Sequence, residues 1–563
     1  MRKINTKLIC ILLCIVLFLT CGCQKNNVSV SSGEDTQGEE SGEDKKTYKL
    51  SKAGEIIIDD VDFSFYRKNT EDNNARVFYE IFVGSFSDSN GDGIGDLRGI
   101  INRFDYLNDG KPESGTSLGI EGIWLSPIFE SPTYHKYDVT DYYSIDDEFG
   151  TMDDLKELVA LAHKRGVKVI LDTVINHTGD QNEWFKEFCS AHRHDDYENP
   201  YYDFYCYSDS ANVPGRSFKK IASDDEYYEA NFSSNMPELN YDNEKVRETM
   251  LDVAKYYLEE IGVDGFRFDA AKYIYFGEKG PNIEFWKWYV GELKKIKPDI
   301  YTVGEVWDSD NMVVDYSEAL NCFNFNMGQT DGQICTTTKH GDVNKYVSYV
   351  ASFIARARQK NPDAMIIPFI TNHDMDRAAG YMTVASNFAK VSANLYILGP
   401  GSPFIYYGEE IGIKGSRGSE ATDANRRLKM LWGDGDTVKD PKEATYGDSR
   451  QTNGTVAEQF ANENSLYNHY KKLIMIRKAN PEIALGDYKP LSFSDTKVGG
   501  FLATYDGKTV AVLHNTTENP QTVDLSTATD VQFSGVVAYA GVGSASLDGT
   551  VLILEGQTSA VLR

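Results

Sequence analysis

The sequence predicts an α/β fold: a (β/α)8 TIM barrel with a small inserted domain after strand 3 and a C-terminal antiparallel β-sandwich. Three observations carry this prediction. Eight short apolar runs alternate with amphipathic helices over residues 75–480, as in repeated βα units around a parallel sheet. A long turn-rich stretch, 178–242, follows the third run, and alternating strands and turns replace the helices over 481–563.

Composition fits a large folded protein with a neutral partner. The 563 residues are 41% hydrophobic and 25% charged, which is ordinary for a globular chain. Lys and Arg number 57 against 85 Asp and Glu, a net charge of −28. Nucleic acids and anionic membrane surfaces both require a basic face, so this balance disfavours them as partners.

The first 48 residues predict export and anchoring. Residues 1–22 combine a basic start with an apolar run too short to span a bilayer, which is typical of a signal peptide. Cys23, preceded by a glycine, resembles the lipidated cysteine of bacterial lipoproteins; Cys21 is the second choice, and an ordinary secretory signal is the alternative. Residues 23–48 read as a flexible acidic tether. We therefore expect an extracytoplasmic lipoprotein, membrane-anchored at the cell surface.

The barrel elements follow from hydrophobic periodicity. Two helices are clear: 151–165, where Thr151 and Asp154 have capping-box spacing, and 244–261, with an apolar stripe. The eight predicted strands are 77–86, 120–128, 167–176, 263–270, 300–307, 322–327, 364–372 and 402–410.

Two further regions complete the domain organisation. The stretch 178–242 shows no clear helix and is far longer than an ordinary βα loop, so it predicts an inserted domain over the mouth of the barrel. A last helix at 465–478 precedes the predicted sandwich.

The cysteines do not indicate a metal site. Four lie beyond the signal, Cys189, Cys206, Cys322 and Cys335, and none forms a CxxC pair. Pairing of the first two or of the last two stays open beside the alternative of buried free thiols.

Polar residues cluster where barrel strands end, which is where active sites of this fold lie. Strand 3 ends in polar residues, among them His177, and three carboxylates, Asp269, Glu305 and Asp374, lie at the ends of strands 4, 5 and 7. Arg267 lies two residues before Asp269 and shares its face of the strand, so its charge would keep that carboxylate ionised. Each residue alone could be a structural polar group, but four strand ends that agree predict acid and base chemistry on an uncharged substrate.

These residues lie in motifs that closely resemble the α-amylase family of retaining glycoside hydrolases, family 13. The resemblance covers about residues 77–432. Its motifs stand in the family's order and spacing: DTVINH (172–177), MPELN (236–240), GFRFDAAKY (265–273), GEVW (304–307), FITNHD (369–374) and GSPFIYYGEE (401–410).

The resemblance implies a role for each matching residue. Asp269 would be the nucleophile, Glu305 the general acid/base and Asp374 the group that stabilises the transition state. A retaining glycosidase needs two carboxyl groups about 5 to 5.5 Å apart, and neighbouring strands 4 and 5 permit this. The substrate-binding residues implied are Tyr137, His177, Arg267, Lys272, His373, Arg377 and Trp307.

Two positions depart from the family pattern. Tyr273 stands where many α-amylases have a histidine that contacts substrate and calcium, which leaves Asn176 as one candidate ligand of that second calcium. Exo-acting α-glucosidases of the family clamp the non-reducing end with an aspartate and an arginine; here Arg377 is present, but the aspartate position is Tyr134. The incomplete clamp predicts endo cleavage.

The loop after strand 1 predicts calcium as a bound ion. Hard oxygen ligands alternate with glycines over 88–96, but position 12 of an EF-hand would be Gly99, which excludes that motif. The alternative is an Asp/Asn/Gly-rich turn without an ion. By resemblance, the ligands would be Asp88, Asn90, Asp92, the Ile94 carbonyl and Asp96.

The sequence thus predicts a monomeric, lipid-anchored α-amylase that hydrolyses internal α-1,4 bonds of starch or maltooligosaccharides with retention. A 4-α-glucanotransferase or an α-glucosidase of the same family are the alternative enzymes. A glucan-binding lipoprotein with an inactive amylase fold is the alternative outside enzymes, although Asp269, Glu305 and Asp374 are all present.

Overall fold

The computed structural model describes residues 75–112, 114–221, 226–419, 422–495 and 497–563. The predicted signal peptide, Cys23 and the predicted tether lie outside these residues. Among the helices of the described chain, none combines the length and the apolar character needed to cross a bilayer.

Eight chain segments close into a parallel barrel, as the sequence predicts. Six are regular strands, in spatial order Tyr301–Gly304, Gly265–Phe268, Lys168–Thr173, Gly122–Leu125, Phe78–Ile81 and Phe404–Tyr406. The remaining two complete the ring through single parallel bridges, Gly304 with Cys322 and Phe323 with Ile367. Hydrogen bonds from Ser402 N to Ile366 O and from Phe404 N to Pro368 O, both 3.0 Å, close it.

The prediction of regular strands at 322–327 and 364–372 is wrong in extent. After Phe323 the chain turns, and Met327 N donates to Asn324 O at 3.1 Å. In the seventh segment Pro368 has no N–H to donate to a ladder. Both segments therefore keep their place in the barrel with one bridge pair each instead of a run of paired residues.

The helices cover the outside of the barrel and bury their apolar stripes against it. In the helix Met152–Lys164 the predicted capping box of Thr151 and Asp154 is formed, and Leu155, Leu158, Val159 and Ala162 are buried on one side. The helix Glu244–Tyr256 continues as a π-helical turn, Tyr257–Ile261. The other α-helices are Leu97–Asn102, Phe104–Leu107, Glu183–Arg193, Lys279–Ile296, Asp310–Tyr316, Gln333–His340, Val343–Lys360, Phe388–Ile397, Val456–Phe460, Leu466–Ala479 and Glu482–Leu485.

The insertion after the third segment contains a helix, so the prediction that it has none is wrong. Asn182 caps the helix Glu183–Arg193 by accepting from Trp184 N, and Phe185, Phe188 and Cys189 form its buried side. A three-stranded antiparallel sheet lies beside it, in spatial order Tyr207–Ser208, Tyr227–Glu229 and Phe218–Lys220.

The C-terminal region forms two antiparallel sheets around its own apolar core, which includes Leu491, Leu513 and Leu552. Asn394 of a barrel helix donates to Ala540 O and Ser559 Oγ, both at 3.0 Å, and so joins one sheet to the barrel. The strands are, in spatial order, Asp487–Ser492, Val498–Tyr505, Lys508–Asn515, Thr558–Leu562 and Val536–Gly541 in one sheet, and Gln521–Asp524, Val551–Leu554 and Ala545–Asp548 in the other.

All four cysteines of the described chain, Cys189, Cys206, Cys322 and Cys335, are free thiols. Of the alternatives that the sequence left open, free thiols are the one observed.

Candidate active site

A cavity of about 940 Å³ opens at the carboxyl ends of the barrel segments. Because every parallel strand points its carboxyl end to this rim, residues distant in sequence meet here. The cavity is lined by seven of the predicted catalytic and substrate-binding residues: Tyr137, His177, Asp269, Lys272, Glu305, Trp307 and Asp374.

Arg267 organises the floor of the site. Its side chain is fully buried. Nη1 donates to Asp269 at 2.8 Å and to Asp172 at 2.7 Å, and Nη2 donates to Glu305 Oε2 at 2.6 Å. One rigid guanidinium therefore holds Asp269 and Glu305 on its two amino groups, which fixes the two carboxyl groups relative to each other. The sequence prediction that Arg267 faces Asp269 is confirmed.

The backbone directly after Asp269 makes a second hydrogen bond to Glu305. Ala270 has a φ of 47°, in the left-handed region that non-glycine residues seldom adopt. In this conformation its N–H donates to Glu305 Oε2 at 3.2 Å. The strained residue thus lies between the two carboxylates and orients one of them.

Burial raises the pKa of both carboxyl groups that Arg267 holds, and the attraction of Arg267 opposes the rise in each. The negative charges of Asp269 and Asp374 add to the effect of burial on Glu305, whose pKa is raised to about 7. Near neutral pH Glu305 is therefore partly protonated and can donate a proton.

Asp374 lies between two cations. Its oxygens are 3.1 Å from His373 Nε2 and 2.8 Å from Arg427 Nη2. Burial opposes ionisation of Asp374, but the attraction of His373 and Arg427 outweighs it and holds the pKa below its usual value. Burial likewise disfavours the cationic form of His373, yet Asp374 and Glu80, 2.6 Å from Nδ1, raise its pKa to about 10. Asp374 is therefore an anion next to an imidazolium.

Tyr137 and His177 form one wall. The Tyr137 ring stacks on His373 at 5.5 Å between centroids, and its hydroxyl donates to Asp172 at 2.9 Å. Burial lowers the pKa of His177 to about 4, so its imidazole is neutral. His177 Nε2 lies 3.2 Å from Tyr137 O, and since a carbonyl only accepts, this nitrogen carries the hydrogen.

Two exposed rings line the cavity on its solvent side. Trp307, 38% exposed, stacks on Phe325 at 4.6 Å, and Lys272 Nζ donates to Trp307 O at 2.8 Å. Phe232, 47% exposed, meets Tyr273 edge to face at 5.1 Å. Phe232 belongs to the insertion and was missed by sequence reasoning, because no motif contains it.

The structure does not bring Arg377 to the cavity. Its guanidinium donates to Tyr407 O at 2.7 Å and to Arg426 O at 2.9 Å, which makes it a support for the backbone below the site. The arginine at the predicted clamp position is Arg427, which sequence reasoning missed. It donates to Tyr134 at 3.1 Å as well as to Asp374.

The predicted calcium loop has the oxygen donors that calcium prefers, but their side chains do not converge on one point and instead accept hydrogen bonds from the backbone. Asp88 accepts from the N–H groups of Asn90, Gly91 and Gly93, and Asp92 accepts from Ile94 N. Asp96 accepts from Ser89 N and Gly99 N. Within the described ranges, no group of three or more Asp, Glu, His or Cys side chains could hold a metal ion. Calcium at this loop stays a prediction.

The barrel and the carboxyl groups at its mouth define a glycoside hydrolase. A family model for the α-amylase catalytic domain matches residues 80–486. The chain is 36% identical to α-amylase 3 of Dictyoglomus thermophilum over 449 residues, 78% of this chain and 84% of that protein. It is 33% identical to a 4-α-glucanotransferase of Thermotoga neapolitana, over 60% of this chain and 72% of that protein.

The solved structure of Eubacterium rectale Amy13B superposes with a TM-score of 0.82 at 33% identity, covering 90% of this chain and 99% of that chain. The chain belongs to the α-amylase family, and the similar proteins carry names of more than one specificity.

Proposed function

We propose that the chain hydrolyses internal α-1,4-glucosidic bonds of starch and maltooligosaccharides with retention of configuration. The observation that supports this most is the buried Arg267, which joins Asp269 and Glu305 and leaves Glu305 with a pKa near 7. Retaining glycosidases need one ionised and one protonated carboxyl group on either side of the bond.

In the first step Asp269 attacks the anomeric carbon while the Glu305 proton passes to the leaving glycosidic oxygen. The glycosidic bond breaks and a glycosyl ester of Asp269 forms. In the second step Glu305, now ionised, takes a proton from water, whose oxygen displaces Asp269. Arg267 contacts both carboxyl groups and so keeps them positioned through both steps.

Asp374 would accept hydrogen bonds from the hydroxyls of the sugar next to the broken bond. Its low pKa keeps it an anion there, which suits a transition state with positive charge on the sugar ring. Tyr137 would present its ring, and neutral His177 would contact a hydroxyl of the same sugar.

Endo cleavage rests on Tyr134. The Tyr134 hydroxyl accepts from Arg427 Nη1, so an aromatic ring stands where a carboxylate would complete a clamp on the non-reducing end. Without that carboxylate, the charge-assisted hydrogen bonds that would close off the end of the substrate are incomplete. A glucan chain can therefore extend beyond this ring.

The test is the product pattern on maltoheptaose blocked at its non-reducing end and on soluble starch. We expect cleavage of the blocked substrate, early loss of starch viscosity, and first products that NMR detects in the α-anomeric form. Glucose alone, with no cleavage of the blocked substrate, would indicate an α-glucosidase. An absence of any turnover would favour a glucan-binding protein.

A 4-α-glucanotransferase is the second candidate, and the exposed rings of Phe232 and Trp307 favour it. Both line the cavity and could hold a sugar acceptor that competes with water for the glycosyl ester. Incubation with maltotriose separates the two, since a transferase forms longer chains as it consumes the trisaccharide and a hydrolase does not.

The proposal includes calcium, a monomeric state and a lipid anchor at Cys23 that places the enzyme at the cell surface. Light scattering of the purified chain tests the monomer. Fractionation of cells that express Cys23→Ala tests the anchor: we expect the variant to leave the membrane fraction, whereas Cys21→Ala stays there. The opposite pattern would move the anchor to Cys21.

A further inference from the structure

Two exposed tyrosines of the insertion pack against the same buried ring, that of Tyr202, away from the cavity. Tyr197 is 67% exposed and Tyr207 is 39% exposed, and neither lines the cavity. Both rings contact Tyr202, at 4.9 and 6.0 Å between centroids. They therefore form one aromatic patch on the surface of the protein.

The patch stands on a fixed base. The His192 ring stacks on Tyr202 at 4.0 Å and meets Tyr207 edge to face at 4.6 Å. Its two nitrogens lie 2.7 Å from Glu226 and 2.9 Å from Tyr202 O. With His192 held at both nitrogens, the rings above it lose little freedom when they bind a ligand.

The chemistry of the patch suits a neutral polyol. Tyrosine offers an apolar face and a hydroxyl that both donates and accepts. A carboxylate lies next to each hydroxyl, Asp195 at 3.4 Å from that of Tyr197 and Asp203 at 3.2 Å from that of Tyr207. These acids and the net charge of −28 oppose a polyanion, while sugar hydroxyls can donate to the carboxylates.

We propose that Tyr197 and Tyr207 form a second binding surface for polymeric α-glucan, which holds a part of the chain distant from the bond that is cleaved. This inference rests on the proposed function, because the occupant is taken to be the same polymer. A surface of this kind raises the affinity for long chains and leaves short substrates unaffected, since only a long chain reaches both sites.

The test is affinity electrophoresis in gels that contain amylopectin, on the full chain with Glu305→Gln to prevent turnover. In this background Tyr197→Ala and the double variant with Tyr207→Ala are compared with Tyr143→Ala. Tyr143 is a matched control, because it is 44% exposed and packs on Tyr256 outside the cavity. We expect about a tenfold weaker affinity for the double variant, several-fold for Tyr197→Ala, and no change for the control.

The same substitutions in the active enzyme are expected to leave kcat/KM on maltotriose and the melting temperature unchanged. Tyr197→Phe, which keeps the ring, is expected to retain most of the amylopectin affinity. Unchanged affinity in the double variant, or an equal loss in Tyr143→Ala, would overturn the proposal. Self-association that disappears in Tyr197→Ala would also overturn it, since a second copy of the chain would then occupy the patch. Failure of the enzyme to cleave α-glucan would instead refute the proposed function, which this binding assay does not measure.

Discussion

Replacing Glu305 by Gln removes the proton that the proposed mechanism passes to the leaving oxygen. The amide keeps the size of the side chain and can still contact Arg267, so the fold is expected to persist. On maltoheptaose we expect kcat to fall by about two to four orders of magnitude, the usual contribution of a positioned acid and base.

The structure also gives the size of the pKa effect. A glutamate with a pKa of 4.5 would be about 0.3% protonated at pH 7, whereas Glu305, at about 7, is half protonated. Its surroundings thus raise the concentration of the acid form about 150-fold. Because the acid form is the active one in the first step, kcat/KM is expected to fall as pH rises above 7, about tenfold for each unit.

The assay compares maltoheptaose with an aryl maltotrioside whose phenol is acidic enough to leave without a proton. In Glu305→Gln the first-turnover release of the phenol should persist, whereas Asp269→Asn should abolish it, because the nucleophile is then missing. In the parent enzyme, the fall in kcat/KM above pH 7 should appear with maltoheptaose and not with the aryl maltotrioside. If Glu305→Gln lost activity equally on both substrates, or turned over maltoheptaose at nearly the parental rate, Glu305 would not be the acid.

Three further predictions concern other parts of the molecule. Calcium should raise the melting temperature, and Asp92→Ala should reduce that rise; a melting curve unaffected by chelator would contradict this. Burial raises the pKa of Glu409 to about 7, so the folded chain binds more protons, and stability should fall by about 3 kcal/mol between pH 4.5 and 7. In urea unfolding, Glu409→Gln should show a fall in stability over this range that is smaller than the parent's by about this amount; an unchanged pH dependence would refute the prediction. Alanine at both Phe232 and Trp307 should lower the yield of transfer products relative to hydrolysis from maltotriose, and chromatography that shows an unchanged ratio would exclude an acceptor site there.

The barrel could be predicted because most of its strands and helices have local sequence signals. Apolar runs and amphipathic stripes are properties of neighbouring residues, and the helix that starts at Thr151 follows its capping signal closely. The pairing of the sixth and seventh segments depends instead on contacts across the barrel and on Pro368. The apolar runs therefore predicted longer strands than the structure contains. The helix Glu183–Arg193 has its buried residues on one side, but it lies within a long aromatic, turn-rich stretch and was missed.

Residues that end strands could be placed from the sequence, whereas the arginine of the predicted clamp, which lies on a loop, was misjudged. Asp269 and Glu305 follow paired strands, so their positions come from the ladder. Arg377 follows the seventh segment and Arg427 follows the eighth, both in irregular chain, where sequence spacing does not determine the direction of a side chain. Only the three-dimensional course of the loop shows that Arg427 reaches Asp374.

The distribution of cations explains why one carboxyl group becomes the acid. Asp374 contacts two cations, Arg427 and His373, of which it shares the second with Glu80, so it ionises despite burial. Asp269 and Glu305 share a single guanidinium, Arg267, which also holds Asp172.

A guanidinium carries one positive charge, so it cannot offset three buried carboxylates. One of the three must then keep a proton near neutral pH. Burial raises the pKa of all three carboxyl groups, and for Glu305 the negative charges of Asp269 and Asp374 add to that rise and bring the pKa to about 7. The proton that Glu305 holds at this pKa is the one that the proposed mechanism passes to the leaving oxygen. Removing the charge of Asp374 should lower the pKa of Glu305, and the alkaline limb of the residual activity of Asp374→Asn should then move to lower pH; a limb that stays at pH 7 would show that burial alone sets it.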